Sequence, residues 1–176
     1  MKNRLELAKL LAGDGKRVGA EIGVATGRYS EILLKLNPAL ELECVDDWAN
    51  TKFAPTYKMA LEKLSPYVGE RVTIYKLTSV KAATHIVDGS LDFVYIDANH
   101  EYNHVRDDIN IWAPKVKKGG IVAGDDYYLT RAGNLGVIKA INEYCNANGI
   151  ELYSTLWDLD QSVEDDQQPN WWFIKP

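Results

Sequence analysis

Several stretches of this sequence combine residue types that could do chemistry. The first is Ala20-Glu21-Ile22-Gly23-Val24-Ala25-Thr26-Gly27-Arg28. Two glycines four residues apart separate an apolar run from a helix-like segment. Gly23 allows a tight turn, and Gly27, having no side chain, lets a ligand approach the backbone. Free N–H groups at the start of the following helix suit a carboxylate or another anion. The spacing departs from the dinucleotide G-x-G-x-x-G, and Glu21 just ahead of the loop suits a cationic ligand better than a pyrophosphate. The same glycines also suit a plain strand-to-helix turn. Asp46, followed by Asp47 and Trp48, comes 23 residues after Gly23. Doubly wound folds place a ribose-binding carboxylate at about this distance, and Trp48 could stack on or cover a purine ring. Solvated loop acids beside a surface tryptophan are the alternative. A third group is Asp97, His100 and the pair Asp125-Asp126. Carboxylates at the C-terminal ends of adjacent strands converge on the ligand crevice, although a loop pair of acids reads the same way in sequence.

Two further patterns invite a metal reading. His100-Glu101-Tyr102-Asn103-His104 matches the zinc-protease H-E-x-x-H, but that motif needs both histidines inside one helix. His100 follows an apolar strand with only Ala98 and Asn99 between, which puts it in a turn. His104 and His85 read as helix-surface residues. The segment from Asp158 to Asp166 hints at a calcium loop, yet Val163 stands where the turn glycine belongs and Pro169 where the closing glutamate belongs. It reads as a solvated hairpin loop. Asp107 and Asp108 read as the exposed face of a helix, and Trp171-Trp172-Phe173 as packing of the last strand.

The elements that must position these residues alternate along the chain. Strand-like runs fall at 17–23, 41–46, 72–77, 91–97 and 120–124. Helical stretches fall at 28–37, 54–64, 79 to about 87, 102–112 and 135–147, with Ser79 as a cap and Met59, Leu61 and Leu64 among the apolar positions of the second. Pro38 and Pro114 end two of the helices, and Gly149 bounds the last. Alternating βα units predict an α/β, doubly wound, mostly parallel sheet. Residues 151–156 and 171–174, with no helical pattern between them, predict an antiparallel hairpin at one edge.

Composition narrows the function classes. The chain has 176 residues, 46% of them apolar and 26% charged, with a net charge of −5. One domain spanning 1–176 is expected. No Lys/Arg cluster supports a nucleic-acid surface. No apolar run approaches a membrane span, and no signal-peptide pattern opens the sequence. Two cysteines, Cys44 and Cys145, suit a reducing compartment, so a cytoplasmic location is expected.

The ordered blocks Glu21-x-Gly23-x-x-x-Gly27, Asp46-Asp47-Trp48, Leu91-Asp92-Phe93-Val94-Tyr95-Ile96-Asp97 and Lys118-Gly119-Gly120-Ile121-Val122-Ala123-Gly124-Asp125-Asp126-Tyr127 resemble the class I S-adenosylmethionine-dependent methyltransferases. The last two blocks, with His100 between them, resemble the small-molecule O-methyltransferase branch that includes catechol- and macrolide-sugar-type enzymes. The resemblance covers residues 17–176 and implies a Rossmann-like seven-stranded sheet with an antiparallel last strand. It implies S-adenosylmethionine as cofactor. Glu21, Gly23 and Gly27 would line its methionine part, Asp46 with Asp47 and Trp48 its ribose and adenine, and Ser79 the adenine. Asp97 would serve both cofactor and catalysis. In the metal-dependent branch the residues matching Asp97, Asp125 and Asp126 hold a divalent cation, Mg²⁺ or another oxygen-loving ion. His100 lies where catechol-type relatives carry a general-base lysine. Such a site would lower the pKa of a hydroxyl, aim it at the sulfonium carbon and remove its proton.

The resemblance thus implies metal-assisted O-methylation of a small hydroxylated molecule. A catalytically silent cofactor-binding module is the alternative from another class, and a zinc protease a distant one. The short segment before the first strand offers little for a lid over the acceptor. Residues 49–57, 127–135 and a partner subunit of a homo-oligomer are the candidate covers.

Overall fold

Seven strands form one sheet in the order β3-β2-β1-β4-β5-β7-β6 in the computed structural model, which describes residues 1–13, 15, 17–49, 55–129, 133, 135–162 and 167–176. The strands are β1 Val18–Ile22, β2 Glu41–Val45, β3 Val72–Tyr75, β4 Leu91–Ile96, β5 Val116–Gly124, β6 Tyr153–Ser154 and β7 Trp171–Ile174. β1 to β5 pair in parallel, whereas β7 runs antiparallel to both β5 and β6. The expected doubly wound sheet with its edge hairpin is therefore present. β4 has five buried residues of six, as a strand covered on both faces must.

The helices are α1 Arg4–Leu11, α2 Arg28–Leu36, α3 Thr56–Leu64, α4 Ser79–Ala83, α5 Tyr102–Trp112 and α6 Gly136–Asn148. Leu7 and Leu11 of α1, Leu33 of α2 and Leu64 of α3 join Phe93 and Tyr95 in one core layer. Ala82, Ile109, Trp112 and Ile141 join Val94 and Ile96 in the other. Alternate residues of β4 thus feed opposite layers, the period-two geometry of a strand. Strand order reverses between β1 and β4. The loops leaving their C-terminal ends form the switch-point crevice of such sheets.

Local details differ from the sequence reading. Thr78, not Ser79, sits at the cap position, without a side-chain cap bond, and α4 ends at Ala83. Ser79 instead faces α5, donating to Asp108 Oδ1 at 2.5 Å and accepting from Trp112 Nε1 at 2.7 Å. Asp108 is accordingly buried rather than on the exposed face, whereas Asp107 is exposed. Met59 and Leu61 of α3 are exposed, because Ala60 and Leu64 form its buried stripe. α1 itself was unforeseen. Asn3 caps it by accepting from the Glu6 amide at 3.0 Å. No helix among the described residues is long and apolar enough to cross a membrane.

Candidate active site

The turn after β1 is held by backbone geometry. Gly23 sits at φ +96°, and a Cβ there would lie 1.8 Å from the Asp97 carbonyl oxygen. Its lack of a side chain is thus required by the neighbouring β4–α5 turn, not only by an incoming ligand. Gly27, at φ +74°, starts α2 and packs toward Ala60 of α3. Ala25 also adopts a left-handed conformation, φ +47°. Asp46 stabilises that loop: its Oδ2 accepts from the Ala25 amide at 2.9 Å and its Oδ1 from the Trp48 amide at 2.7 Å. Trp48 Nε1 donates to the Ala25 carbonyl at 2.8 Å, and its ring lies 4.7 Å from that of Tyr57. Asp47 is exposed and accepts from the Ala49 amide. The ribose-side residues expected from sequence therefore stand together against the glycine loop.

A cleft opens beside this loop, lined among others by Arg4, Glu21, Gly23, Tyr29 and Asp97. Glu21 is buried and accepts from the Ser30 hydroxyl. Burial pushes its carboxyl from the ordinary 4.5 up to about 8. Tyr29 keeps a buried hydroxyl with no hydrogen-bond partner. Desolvated acid, unsatisfied hydroxyl and left-handed loop amount to a cradle for a ligand with cationic and polar parts, and S-adenosylmethionine fits it.

The acids beyond the cleft are organised differently from expectation. Arg4 reaches in from the first turn of α1 and is only 5% exposed. Its Nη1 donates to Asp125 Oδ2 at 2.8 Å and its Nη2 to Asp97 Oδ2 at 2.9 Å. Its guanidinium lies over the ring of Tyr29 at 4.4 Å and near that of Tyr95 at 5.3 Å. Asp126, at φ +58°, accepts from His100 Nδ1 at 2.6 Å, while His100 Nε2 stands 3.5 Å from Asp97 Oδ1. Burial acts against the charge of Asp97, but Arg4 and His100 hold its carboxyl below the usual range. Burial lifts Asp125, against the pull of Arg4. For His100, burial works downward and is outweighed by Asp126 and Asp97, which raise it to about 10. His100 Nε2 and Asp126 Oδ1 remain without hydrogen bonds.

The expected Mg²⁺ set of Asp97, Asp125 and Asp126 does not fit a divalent ion in this arrangement. A guanidinium stands between two of the three carboxylates, and the third is taken by an imidazole. The one group of metal-capable side chains close enough to share an ion among the described residues is Asp97, His100 and Asp126. A hard cation favours oxygen ligands over that mixed set. Nor is there a zinc-protease helix: His100 lies ahead of α5 and His104 is exposed. In the suspected calcium loop, residues 163–166 lie outside the described residues. Asp158 is buried rather than solvated, accepting from Asn3 Nδ2 at 2.7 Å and Gln161 Nε2 at 2.9 Å. Of the candidate lid segments, residues 50–54, 130–132 and 134 also lie outside the described residues. Sequence reasoning missed Arg4, Tyr29 and Ser30. An arginine on an otherwise apolar helix face, with Leu7, Ala8 and Leu11 buried behind it, was the available signal for the first.

A family profile described as a methyltransferase domain matches residues 20–127. No curated protein sequence matches the chain. Among solved structures, TomG, an O-methyltransferase of Streptomyces achromogenes involved in tomaymycin synthesis and solved with its cofactor, superposes with a TM-score of 0.71 at 16% identity, covering 98% of this chain and 79% of TomG. A Staphylococcus aureus protein provisionally described as a caffeoyl-CoA O-methyltransferase gives 0.71 at 17% identity, over 97% of this chain and 82% of that one. The N-methyltransferase NodS of Bradyrhizobium japonicum gives 0.66 at 15% identity, over 98% and 93%. At such identities these likenesses show the shared fold, and they span oxygen and nitrogen acceptors alike.

Proposed function

Because the chain belongs to the class I S-adenosylmethionine-dependent methyltransferases, we propose that it methylates a hydroxyl oxygen of a small molecule at the mouth of the β1–β4 crevice. The observation that carries this reading is His100. It is partly exposed and oriented through Nδ1 by Asp126 at 2.6 Å, and its buried Nε2, which makes no hydrogen bond, stands 3.5 Å from Oδ1 of Asp97, a residue that lines the cofactor cleft. In its neutral form, reached toward pH 10, the imidazole would keep its proton on Nδ1 for Asp126 and leave Nε2 to accept one, the arrangement general-base catalysis requires.

The cofactor, when bound, supplies an electrophilic methyl group on a sulfonium. The remaining work falls to this chain. Glu21 and the loop from Gly23 to Gly27 hold the aminoacyl end, and Asp46 with Trp48 holds the ribose side. Ser79, engaged with Asp108 and Trp112, sets the α4–α5 wall on the adenine side. In its neutral form His100 takes the hydroxyl proton at Nε2, and Asp126 and Asp97 stabilise the imidazolium that results. The absence of a Lys/Arg cluster from the sequence supports a small-molecule acceptor rather than a nucleic acid. The divalent ion expected from the sequence has no step here, since Arg4 already bridges two of its three expected ligands.

Titration with S-adenosylhomocysteine, then a methyl-transfer screen over phenols, catechols, sugars and amines, tests the reading. Binding together with transfer to a hydroxyl is expected. His100→Ala should cut turnover by about 10²–10⁴-fold without changing cofactor affinity. Transfer to amines alone would move the acceptor class. Binding without turnover on any acceptor would favour the silent module.

A further inference from the structure

We propose that Arg4 is the resident cation of this site: its guanidinium does the charge-neutralising work that a divalent ion does in metal-dependent relatives, so the chain binds no metal there. This deepens the methyltransferase reading and rests on it only for the role of the site, not for the chemistry of the pair.

The geometry favours an organic cation. A guanidinium presents parallel N–H donors in a rigid fork and suits two carboxylates held side by side. Arg4 uses that fork on Asp125 at 2.8 Å and Asp97 at 2.9 Å, each bond to a different strand end. The rings of Tyr29 and Tyr95, themselves 4.4 Å apart, both stand on one side of the guanidinium at 4.4 and 5.3 Å, so the side chain is held by cation–π contact as well as by its hydrogen bonds. The backbone that delivers it is fixed too. Asn3 caps α1 and donates to the buried Asp158, while Leu7, Ala8 and Leu11 are fully buried. A divalent ion of the magnesium type wants near-octahedral oxygen ligands at about 2.0–2.1 Å, with open positions for water or substrate. Two of the oxygens it would use are already hydrogen-bonded to Arg4. Asp126, which would be the third ligand, is bonded to His100 at 2.6 Å. Every carboxylate of the expected ion site thus has a cationic partner from the chain itself. Removing Arg4 would leave the partly buried Asp97 and the buried Asp125 adjacent and short of counter-charge, which is the condition that recruits a metal.

The test compares wild type, Arg4→Met and Arg4→Lys after chelator treatment, reading Mn²⁺ binding by electron paramagnetic resonance and Tm with and without Mn²⁺ or Mg²⁺. Wild type should bind no Mn²⁺, and its Tm should move by less than about 1 °C with either ion. Arg4→Met should melt about 10 °C lower without metal, since it strands the buried Asp125 and the partly buried Asp97, and should acquire Mn²⁺ binding that restores part of the loss. Should Arg4→Met fold only with Mn²⁺ present, that too is the expected gain of a metal requirement. Arg4→Lys, which keeps one charge, should fold and remain insensitive to Mn²⁺. Mn²⁺ binding by wild type at Asp97, abolished by Asp97→Asn, would overturn the proposal, as would failure of Arg4→Met to gain metal affinity. S-adenosylhomocysteine titration of the same samples separates this from the functional reading. Loss of cofactor binding in chelated wild type counts against a metal-free site, whereas absence of cofactor binding under all conditions counts against the methyltransferase reading alone.

Discussion

Glu21→Gln should make the protein more stable and its cofactor affinity worse, both in a pH-dependent way. The glutamate is buried and its carboxyl is raised from 4.5 to about 8, with burial as the leading cause. The folded state therefore prefers the protonated acid, and the unfolded chain ionises first. Stability is fully retained below about pH 4.5, falls as pH rises toward 8 and levels off above it. At 1.36 kcal/mol per pKa unit, the loss between pH 5 and pH 8 is about 3–4 kcal/mol, or about 10 °C of Tm for a chain of this size. Glutamine keeps the shape and an oxygen to accept from Ser30, but it cannot ionise. Its Tm should approach or exceed that of wild type at pH 8, while the two differ little at pH 5. A cationic ligand group beside Glu21 favours the carboxylate, so wild type should release close to one proton on binding S-adenosylhomocysteine at pH 7. The variant should release none from this site and bind about 10–150-fold more weakly, the worth of a charge-assisted hydrogen bond. Calorimetry in buffers of different ionisation enthalpy counts the protons, and thermal scans at several pH values give the stability arm. Parallel Tm–pH curves for the two proteins, or equal proton release, would refute the assignment of Glu21 as the titrating ligand of the cleft.

Other perturbations follow from the same geometry. Gly23→Ala should cost at least about 3 kcal/mol by urea denaturation, because its Cβ would collide with the Asp97 carbonyl; Gly69→Ala, at φ +85° with open space around it, should cost only about 1–2 kcal/mol. Asp46→Ala should weaken S-adenosylhomocysteine about 10–150-fold and also alter Trp48 fluorescence, since it frees the Ala25 and Trp48 amides; unchanged fluorescence would separate ribose binding from loop support. The pH profile of kcat/KM should rise with a midpoint near pH 10, as His100 loses its proton, and Asp126→Asn should bring the midpoint down toward the ordinary imidazole value of 6.5. A wild-type profile flat between pH 7 and 10 would remove His100 as the base.

What was legible in the sequence was local. The strand–glycine–helix turn, the acid after β2 and the acids after β4 and β5 are read along the chain, because parallel sheets put loops of this kind at one edge. The reasons behind individual residues were less legible. Gly23 reads as space for a ligand until the Asp97 carbonyl is seen to need that space. Asp46 reads as a ribose partner, yet it accepts from one backbone amide of the glycine loop, that of Ala25, and from one of its own loop, that of Trp48. Ser79 reads as a cap, but the side chain that matters to it is Asp108, which only the packing of α4 on α5 brings near. Arg4 was least legible of all. Its partners lie 93 and 121 residues away, and an arginine on an apolar helix face signals burial without naming the crevice it points into.

That long-range contact changes how the acids of the crevice should be counted. Three acids, Asp97, Asp125 and Asp126, face two cationic side chains, Arg4 and His100, joined through contacts of 2.6–2.9 Å. A fourth acid, Glu21, stands at the same crevice and is neutral at pH 7 because burial lifts it to about 8. The chain's own cations thus offset most of the fixed charge, and Glu21 holds the adjustable remainder. A cationic ligand meets a site that becomes one unit more negative by shedding a proton, whereas an anionic or neutral competitor leaves Glu21 protonated and gains no charge-assisted bond. Discrimination for a positively charged cofactor then follows from desolvation of one carboxyl, and it needs Arg4 to remain in place. Without that guanidinium, Asp97 and Asp125 would add their repulsion to the burial penalty and drive Glu21 further from ionisation. The two devices are coupled through Asp97, which borders both the cleft and the Arg4 bridge. Proton release on cofactor binding should therefore fall in Arg4→Met as well as in Glu21→Gln, although Arg4→Met leaves the glutamate itself untouched.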